Sequence, residues 1–376
     1  MKTKIKEIAR IISGGDKPKL MSKTKTNEFN VPIIGNALEN KGIYGYTNKS
    51  VVDENAITIA ARGSNCGISF YRTEPYYPIV RLLSLIPDTN ILDTRYFYYV
   101  IKNRNFKSTG SGQPQITIPQ ISDCEIDIIE DLGIQKKISS LLGKIDDKIE
   151  CNNKIITILE DYGKTLYNYW FLQCEFPDKN GKPYKSSYGK MEWNESIKSE
   201  LPIGWKVEEI SNIVELYQPK TISEKELDID GKYFVYGANG IIGKYAEYNH
   251  ENSEIAICCR GANCGKFLMT QPKSWITGNS MVVSPKDSNL KEYIFYGLND
   301  KILEKYITGS AQPQITATSL KHMNIIVPDN DVLLKFTNIT EKIRNEIQLK
   351  FIEAQKLTEL RDFLLPLLVN KQVGFD

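Results

Sequence analysis

Apolar positions along the chain follow two periods, and the two alternate in the same order twice. Ile5, Ile8 and Ile11 open the chain at helical spacing. Val207, Ile210 and Ile213 repeat it 202 positions later, predicting an amphipathic start to each half. Glycine-punctuated, β-rich bodies follow. Gly42-Ile43-Tyr44-Gly45 and Gly240-Ile241-Ile242-Gly243 are turn-rich hairpin signals 198 positions apart. Ile57-Thr58-Ile59-Ala60-Ala61 and Ile255-Ala256-Ile257-Cys258-Cys259 read as short buried strands. Phe97-Tyr98 and Phe295-Tyr296 fit a helix packed on the sheet, and Cys124 to Ile129 and Met323 to Val327 read as closing strands.

The longest periodic stretches end each half. Between about Leu132 and Leu172, Ile138, Ile145, Asn152, Leu159 and Leu166 fall seven apart, with Leu141, Lys148, Ile155, Tyr162 and Tyr169 as the partner seam. Between about Val332 and Leu368 the seams are Phe336, Ile343, Lys350, Leu357, Leu364 and Ile339, Glu346, Glu353, Leu360, Leu367. Five mostly apolar heptads predict a coiled coil. Lys148 and Asn152, and Glu346 and Lys350, make the middle polar. That is either local solvent exposure or the register-setting centre of an antiparallel pair. Such a helix of forty residues spans about 60 Å at ~1.5 Å per residue. Residues 173–205 have loop composition, with Pro177-Asp178-Lys179-Asn180-Gly181-Lys182-Pro183 and Ser186-Ser187-Tyr188-Gly189, before Leu201-Pro202-Ile203-Gly204-Trp205 restarts the pattern. The predicted fold is α+β. A β-rich body at 1–131 is followed by a long helix at 132–172 and a linker at 173–205, then a second body at 206–331 and a second helix with its tail at 332–376.

The repetition is literal in two blocks. Gly110-Ser111-Gly112-Gln113-Pro114-Gln115-Ile116-Thr117 returns as Gly309-Ser310-Ala311-Gln312-Pro313-Gln314-Ile315-Thr316. Ala61-Arg62-Gly63-Ser64-Asn65-Cys66-Gly67 returns as Cys259-Arg260-Gly261-Ala262-Asn263-Cys264-Gly265. The offsets are 199 and 198, so the whole unit is duplicated and two similar sites are expected.

Bulk composition narrows the class. With 41% hydrophobic and 25% charged residues over 376 positions, the chain suits two ordinary globular domains. No apolar run approaches the ~20 residues that span a bilayer, and Met1 to Glu7 leads into no signal-peptide core, so a cytoplasmic protein is expected. Seven cysteines without a C-x-x-C pair read as reduced thiols, and Cys66 and Cys264 share a packing role in the repeat. Residues 1–130 carry 17 Lys/Arg against 13 Asp/Glu, a net of +4, and residues 201–330 carry 13 against 15, a net of −2. A nucleic-acid footprint would therefore have to be gathered on one face or shared with a partner. There is no Gly-rich phosphate loop, no dinucleotide fingerprint, no Asn-Pro-Pro-Tyr or Asp-Pro-Pro-Tyr and no H-E-x-x-H, and two histidines leave little general-base capacity. Glu39-Asn40-Lys41 is the one nuclease-like Glu-x-Lys to weigh, and such tripeptides are common in charged loops.

Four features resemble the specificity (S) subunits of Type I restriction–modification systems. They are Arg-Gly-x-x-x-Gly after a strand, Gly-Ser-x-Gln-Pro-x-Ile, the Leu-Pro-x-Gly-Trp restart and a long helix closing each half. The family has Pro-x-x-x-Gln-x-x-Ile at each helix start. The first half keeps Gln135 and Ile138 but has Glu130-Asp131 in place of the proline; the second keeps Pro328 but has Leu333 for Gln135. The resemblance implies two target recognition domains that read the halves of a split site in double-stranded DNA. It also implies helices paired as an antiparallel coiled coil with pseudo-two-fold symmetry, setting the unread spacer. Two methyltransferase (M) subunits would dock to make an adenine methyltransferase, and restriction (R) subunits would add an ATP-dependent nuclease. No cofactor is expected on this chain, because S-adenosylmethionine, ATP and Mg belong to the partners. No catalytic residue, metal site or membrane contact is expected either.

The repeat also sorts residues. Halves that read different sequences cannot encode the difference in residues they share. Arg62/Arg260, Asn65/Asn263, Gln113/Gln312 and Gln115/Gln314 are therefore scaffold or contacts common to both, and the two arginines would serve a phosphate or an internal carboxylate. For the Gln-Pro-Gln-Ile-Thr segments the favoured role is scaffold, the amides satisfying loop backbone. Reading falls to divergent segments: Asp16–Asn30, with Lys17, Lys19, Lys23 and Lys25, against Gln218–Lys232, with Lys220 and Lys225. Further candidates are Arg72 against Lys273, and Lys107 against Lys301. Any one lysine is ordinarily a solvated charge, but four in nine residues beside Gly14-Gly15 suit a loop facing phosphates.

The alternatives are a stand-alone DNA-binding nuclease and a two-headed protein-interaction module. Salt separates the DNA reader from the latter: its log affinity must fall with log salt by about 0.9 per phosphate neutralised. Titrated DNA binding that ignores salt favours the interaction module, and metal-dependent cutting abolished by Glu39→Ala and Lys41→Ala favours the nuclease.

Overall fold

The structure is a computed structural model describing residues 1–102, 104, 106, 114–228, 230–309 and 312–374. It divides into two compact units, Met1–Asn152 with Glu353–Asp376, and Asn153–Ile352.

In the first unit β1 (Lys2–Lys4) leads through one helical turn, α1 (Ile5–Ile8), into β2 (Ala9–Ser13). β3 (Val31–Ile34), β4 (Ile43–Thr47), β5 (Ala56–Ile59), β6 (Ser69–Arg72), β7 (Tyr77–Pro78) and β8 (Leu83–Pro87) follow. After them come α2 (Thr94–Lys102), α3 (Ile118–Ser122), β9 (Glu125–Asp127) and the long α4 (Leu132–Tyr167). The strands form a four-stranded antiparallel sheet, β2-β8-β5-β6, and a three-stranded sheet, β4-β3-β7, in which β3 and β7 run parallel. β1 pairs with β9 and closes the body. β5 is buried on both faces. Ile57 and Ile59 meet Phe97 and Val100 of α2, while Ala56 joins Ile34 and Tyr76 on the other side. A strand covered twice has no polar face to alternate with, which is why it reads as a nearly continuous apolar run broken only by Thr58.

Residues 173–205 are more ordered than their composition suggests. β10 (Met191–Asn194) and β11 (Ser199–Pro202) form a hairpin, and Phe176, Leu201 and Trp205 enter the core of the second unit. The second body then repeats the first. β12 (Lys206–Glu209), α5 (Ile210–Ile213), β13 (Val214–Tyr217), β14 (Tyr233–Gly237), β15 (Gly240–Tyr245), β16 (Ile255–Cys258), β17 (Phe267–Met269), β18 (Trp275–Ile276) and β19 (Ser280–Pro285) come first. They are followed by α6 (Leu290–Gly297), α7 (Asp300–Glu304), α8 (Ala317–Leu320), β20 (Asn324–Val327) and α9 (Asn330–Val369). The sheets are β13-β19-β16-β17 and β15-β14-β18, and β12 pairs with β20.

Strand registers correct the alignment of the halves. Ala9 faces Pro87 and Val214 faces Pro285, so Ile5 and Ile8 correspond to Ile210 and Ile213 rather than to Val207 and Ile210. The apolar triplet is one helical turn running into a strand, so its spacing alone could not set the match. Val31 faces Thr47 and Tyr233 faces Tyr245, whereas Ile34 faces Ile43 and Tyr236 faces Ile241. The offset thus falls from 205 at β2 to 202 at β3 and 198 at β4. The first half carries its extra residues before β3 and in the β3–β4 turn, where Asn40 and Lys41 adopt positive φ.

Both units are completed by helix from both halves. In the first, Ile138 and Leu142 of α4 share the core with Leu365, Leu368 and Val369 of α9. Arg361 pairs with Asp146 at 2.9 Å, and Asn152, fully buried, donates to Glu353 at 3.0 Å, so the helices run antiparallel there. In the second, Tyr167 of α4 and Trp170 and Phe171 in the π turn after it pack on Phe336 of α9. Of the expected first seams Ile138, Ile145, Asn152, Phe336 and Ile343 are buried and the other positions half-buried. The expected second seams lie further out: Leu141, Tyr162, Tyr169, Ile339 and Leu360 are exposed, and Ile155, Glu353 and Leu367 half-buried. The inner positions are one residue on, at Leu142 and Trp170 in the first stretch and at Thr340, Ile347, Ala354 and Leu368 in the second. Residues three and four along a helix flank the same face, and the side the neighbouring body covers decides between them. The polar centre is likewise a cross-helix Asn152–Glu353 contact, while Lys350 pairs with Glu346 one turn away on its own helix.

The second unit buries a bidentate pair, Arg344 to Glu292, at 3.1 Å with both residues under a tenth exposed. Arg344→Ala is expected to cost about 3–5 kcal/mol by leaving Glu292 buried alone, and Arg344→Met with Glu292→Leu to recover most of it. Urea unfolding measures both; equal losses in the single and double variants would show that packing, not charge, matters there.

Candidate nucleic-acid interface

The two literal repeats meet in space. In the first body Gly63 N–H donates to Pro114 O at 3.2 Å and Ile116 N–H to Ala61 O at 3.0 Å, setting Arg62 across from Gln115. In the second, Gly261 N–H donates to Pro313 O at 3.2 Å and Ile315 N–H to Cys259 O at 3.0 Å, setting Arg260 across from Gln314. Ile116 and Ile315 are buried and anchor the segment. The glycines of Arg-Gly-x-x-x-Gly sit at φ 83° and 94° in one half and 80° and 90° in the other, a region side-chain-bearing residues rarely enter. Cys66 and Cys264 pack at matching places against the two cores.

This geometry revises the scaffold expectation. Backbone and isoleucine hold the loops, while the amides of Gln115, Gln312 and Gln314 point to solvent. Gln113 and Lys107 lie outside the described residues. Arg62 and Arg260 are exposed, with no side-chain partner among the described residues, so an internal carboxylate is not their role. Asn65 is half-buried and Asn263 exposed, and each is tied down locally. Asn65 donates to Asn36 O at 3.4 Å and Asn263 to the Asn239 side chain, tying each Arg-Gly loop to the neighbouring hairpin.

The divergent segments occupy matching places. Residues 14–30 run beside β4, with Ser22 and Tyr46 exchanging backbone hydrogen bonds at 2.8 Å. In the second body Asp228 N–H donates to Lys244 O at 2.9 Å, at the position equivalent to Tyr46. Lys17 donates to Tyr44 at 2.6 Å and lies over its ring, lowering the tyrosine's pKa. Lys19, Lys23 and Lys25 are exposed on the same segment, as are Lys220 and Lys225 on its counterpart and Lys301 on α7. Lys273 is exposed but 3.5 Å from Glu251.

Arg72 is turned inward. It donates to Thr58 Oγ1 at 3.0 Å and to Lys41 O at 2.5 Å, and burial brings its pKa down to about 10. Thr270 takes its place in the second body, beside a cavity of about 490 Å3 lined by Leu268, Met269, Gln271 and Phe351. Glu39 and Lys41 form a turn in which Lys41 reaches Glu150 of α4 at 2.8 Å. Tyr44, exposed beside the lysine segment, is a residue that sequence reasoning did not single out. The hairpin motif was visible in the sequence, but only the fold sets its aromatic beside Lys17.

A family model described as Type I restriction modification DNA specificity domain matches residues 1–161 and 202–349, one match for each half. The chain belongs to this family. Its specificity-domain relatives include the MjaIX specificity subunit of Methanocaldococcus jannaschii, 22% identical over 76% of this chain and 70% of that one. The HindI specificity subunit of Haemophilus influenzae is 24% identical over 79% and 81%. Two Mycoplasma pneumoniae proteins provisionally named type I specificity subunits are 33% and 32% identical over 37% of this chain, which spans 41% and 38% of their length. The fold is that of the S subunit crystal structure from M. genitalium, with a TM-score of 0.64 at 19% identity over 98% and 96% of the two chains. Among the described residues no helix is long and apolar enough to cross a membrane, and no cluster of three or more His, Cys, Asp or Glu could hold a metal ion.

Within this specificity domain the buried isoleucines should govern the loop pair. Ile116→Ala or Ile315→Ala is expected to cost about 2–5 kcal/mol and to speed amide exchange of the backbone bonds to Ala61 or Cys259. Exchange unchanged in both would mean the loops are held elsewhere.

Proposed function

We propose that the chain is a non-catalytic DNA specificity subunit. Each β-rich body reads one half of a split site in double-stranded DNA, and α4 with α9 sets the spacer between the halves. The observation that carries this reading is the pairing of an identical loop frame in both bodies with divergent segments at matching places beside β4 and β15. Shared contacts hold any DNA; divergent ones are free to differ in the bases they select.

Two methyltransferase (M) subunits dock on this chain to form an adenine methyltransferase, and restriction (R) subunits join them for cleavage. S-adenosylmethionine, ATP and Mg are held by those partners, and the complex works in the cytoplasm. Partners that share the neutralisation of phosphates account for a chain of net charge only +2. Lysines 17, 19, 23 and 25 serve the first half-site, and Lys220, Lys225 and Lys301 the second.

The test is a genome-wide map of methylated adenines in cells carrying this chain and its methyltransferase. A split motif with a constant gap is expected; methylation by the purified chain alone with S-adenosylmethionine would overturn the non-catalytic reading. Removing one heptad from each long helix should change the gap and leave both half-site sequences intact. Altered half-sites with an unchanged gap would mean that the helices are not the ruler.

A further inference from the structure

Two bodies that read different sequences can spend an identical side chain on DNA only at what every DNA has in common. Arg62 and Arg260 meet that description. Each follows the last residues of a fully buried strand, sits across from a glutamine on a loop pinned by the same two backbone bonds, and is exposed. Neither side chain has a partner among the described residues. A scaffold role therefore lacks contacts to explain it, and an internal ion pair lacks the carboxylate. Base reading would demand the same base in both half-sites, against the divergence of everything around the loops. The second body makes the need plainest, with 13 Lys/Arg against 15 Asp/Glu between residues 201 and 330 and Arg260 its single arginine.

We infer that Arg62 and Arg260 each grip a backbone phosphate at their own half-site, with the exposed amides of Gln115 and Gln314 as neighbouring donors. This inference rests on the specificity-subunit reading and adds a sequence-blind anchor to each head. A guanidinium fork on a pinned loop suits a phosphate, because it matches the oxygens two at a time and little loop entropy is lost on binding. Asn65 and Asn263 support the anchors by tying each loop to its hairpin.

The experiment uses the full chain assembled with its methyltransferase subunits and a duplex carrying the mapped site, titrated across a salt series. Arg62→Gln and Arg260→Gln should each weaken binding roughly tenfold. Each should also lower the salt slope by about 1, and the double variant by about 2. The methylated sequence stays the same, and melting temperature does not move. Arg62→Lys and Arg260→Lys keep the slope because they keep the charge. Wild-type affinity in the glutamine variants, a changed methylation sequence, or a lowered melting temperature would each overturn the anchor and leave the specificity reading standing. A wild-type complex that fails to bind the duplex would instead overturn that reading, and the anchor with it.

Discussion

The antiparallel burial of α4 against α9 is the contact on which each body depends. Neither half of the chain completes its own core. The first body is closed by Leu365, Leu368 and Val369 from the end of the second half, and the second by Tyr167, Trp170 and Phe171 from the end of the first half's helical stretch. Removing either helix would expose an apolar face on both units, at roughly 25 cal/mol for each Å2 uncovered. The duplication is therefore not two independent modules in series but two modules that each borrow an element from the other.

Polar contacts between bodies and helices make this borrowing specific. Asp146 and Arg344 hold equivalent places in α4 and α9, 198 residues apart, yet carry opposite charge. Asp146 accepts from Tyr99 at 2.7 Å and pairs with Arg361. Arg344 pairs with Glu292 and lies over the ring of Phe295. Gly163 stands where Arg361 would be expected, and a Cβ there would overlap the ring of Tyr296. An exchange that set Asp146 against Glu292 would bury two carboxylates together, a costly arrangement. Near-identical folds are thus kept from pairing with the wrong stretch of helix, much as a buried polar residue selects register in a coiled coil.

The same logic of shared frame and private detail governs the loops. Between the halves, the offset changes most across residues 14–42, the stretch holding the lysine segment and the longer β3–β4 turn. The frame around Arg62 and Arg260 does not vary. Divergence is tolerated where residues 14–30 lie along a strand edge, because only a few backbone bonds hold them there. Ile116 and Ile315 are the same residue in both halves, and their burial ties each loop to its core.

Much of this was legible in the residues. The repeats identified the duplication, the buried runs located β5 and β16, and the seven-residue spacing located both long helices with one correct seam each. These signals are local: a period or a literal repeat is written in consecutive residues. What the sequence left open was which side a given position meets. Leu141 and Leu142 are equally apolar, and only the body resting on the helix buries one and exposes the other. Arg72 and Arg62 are equally plausible DNA ligands on paper. Only the fold shows Arg72 bent back to Thr58 and Lys41, and Arg62 left outward across from Gln115. The sequence by itself determined that there are two similar heads, each with its long helix. Which arginine, which seam and which half completes which core were decided by tertiary structure, because each turns on contacts between segments far apart in the chain.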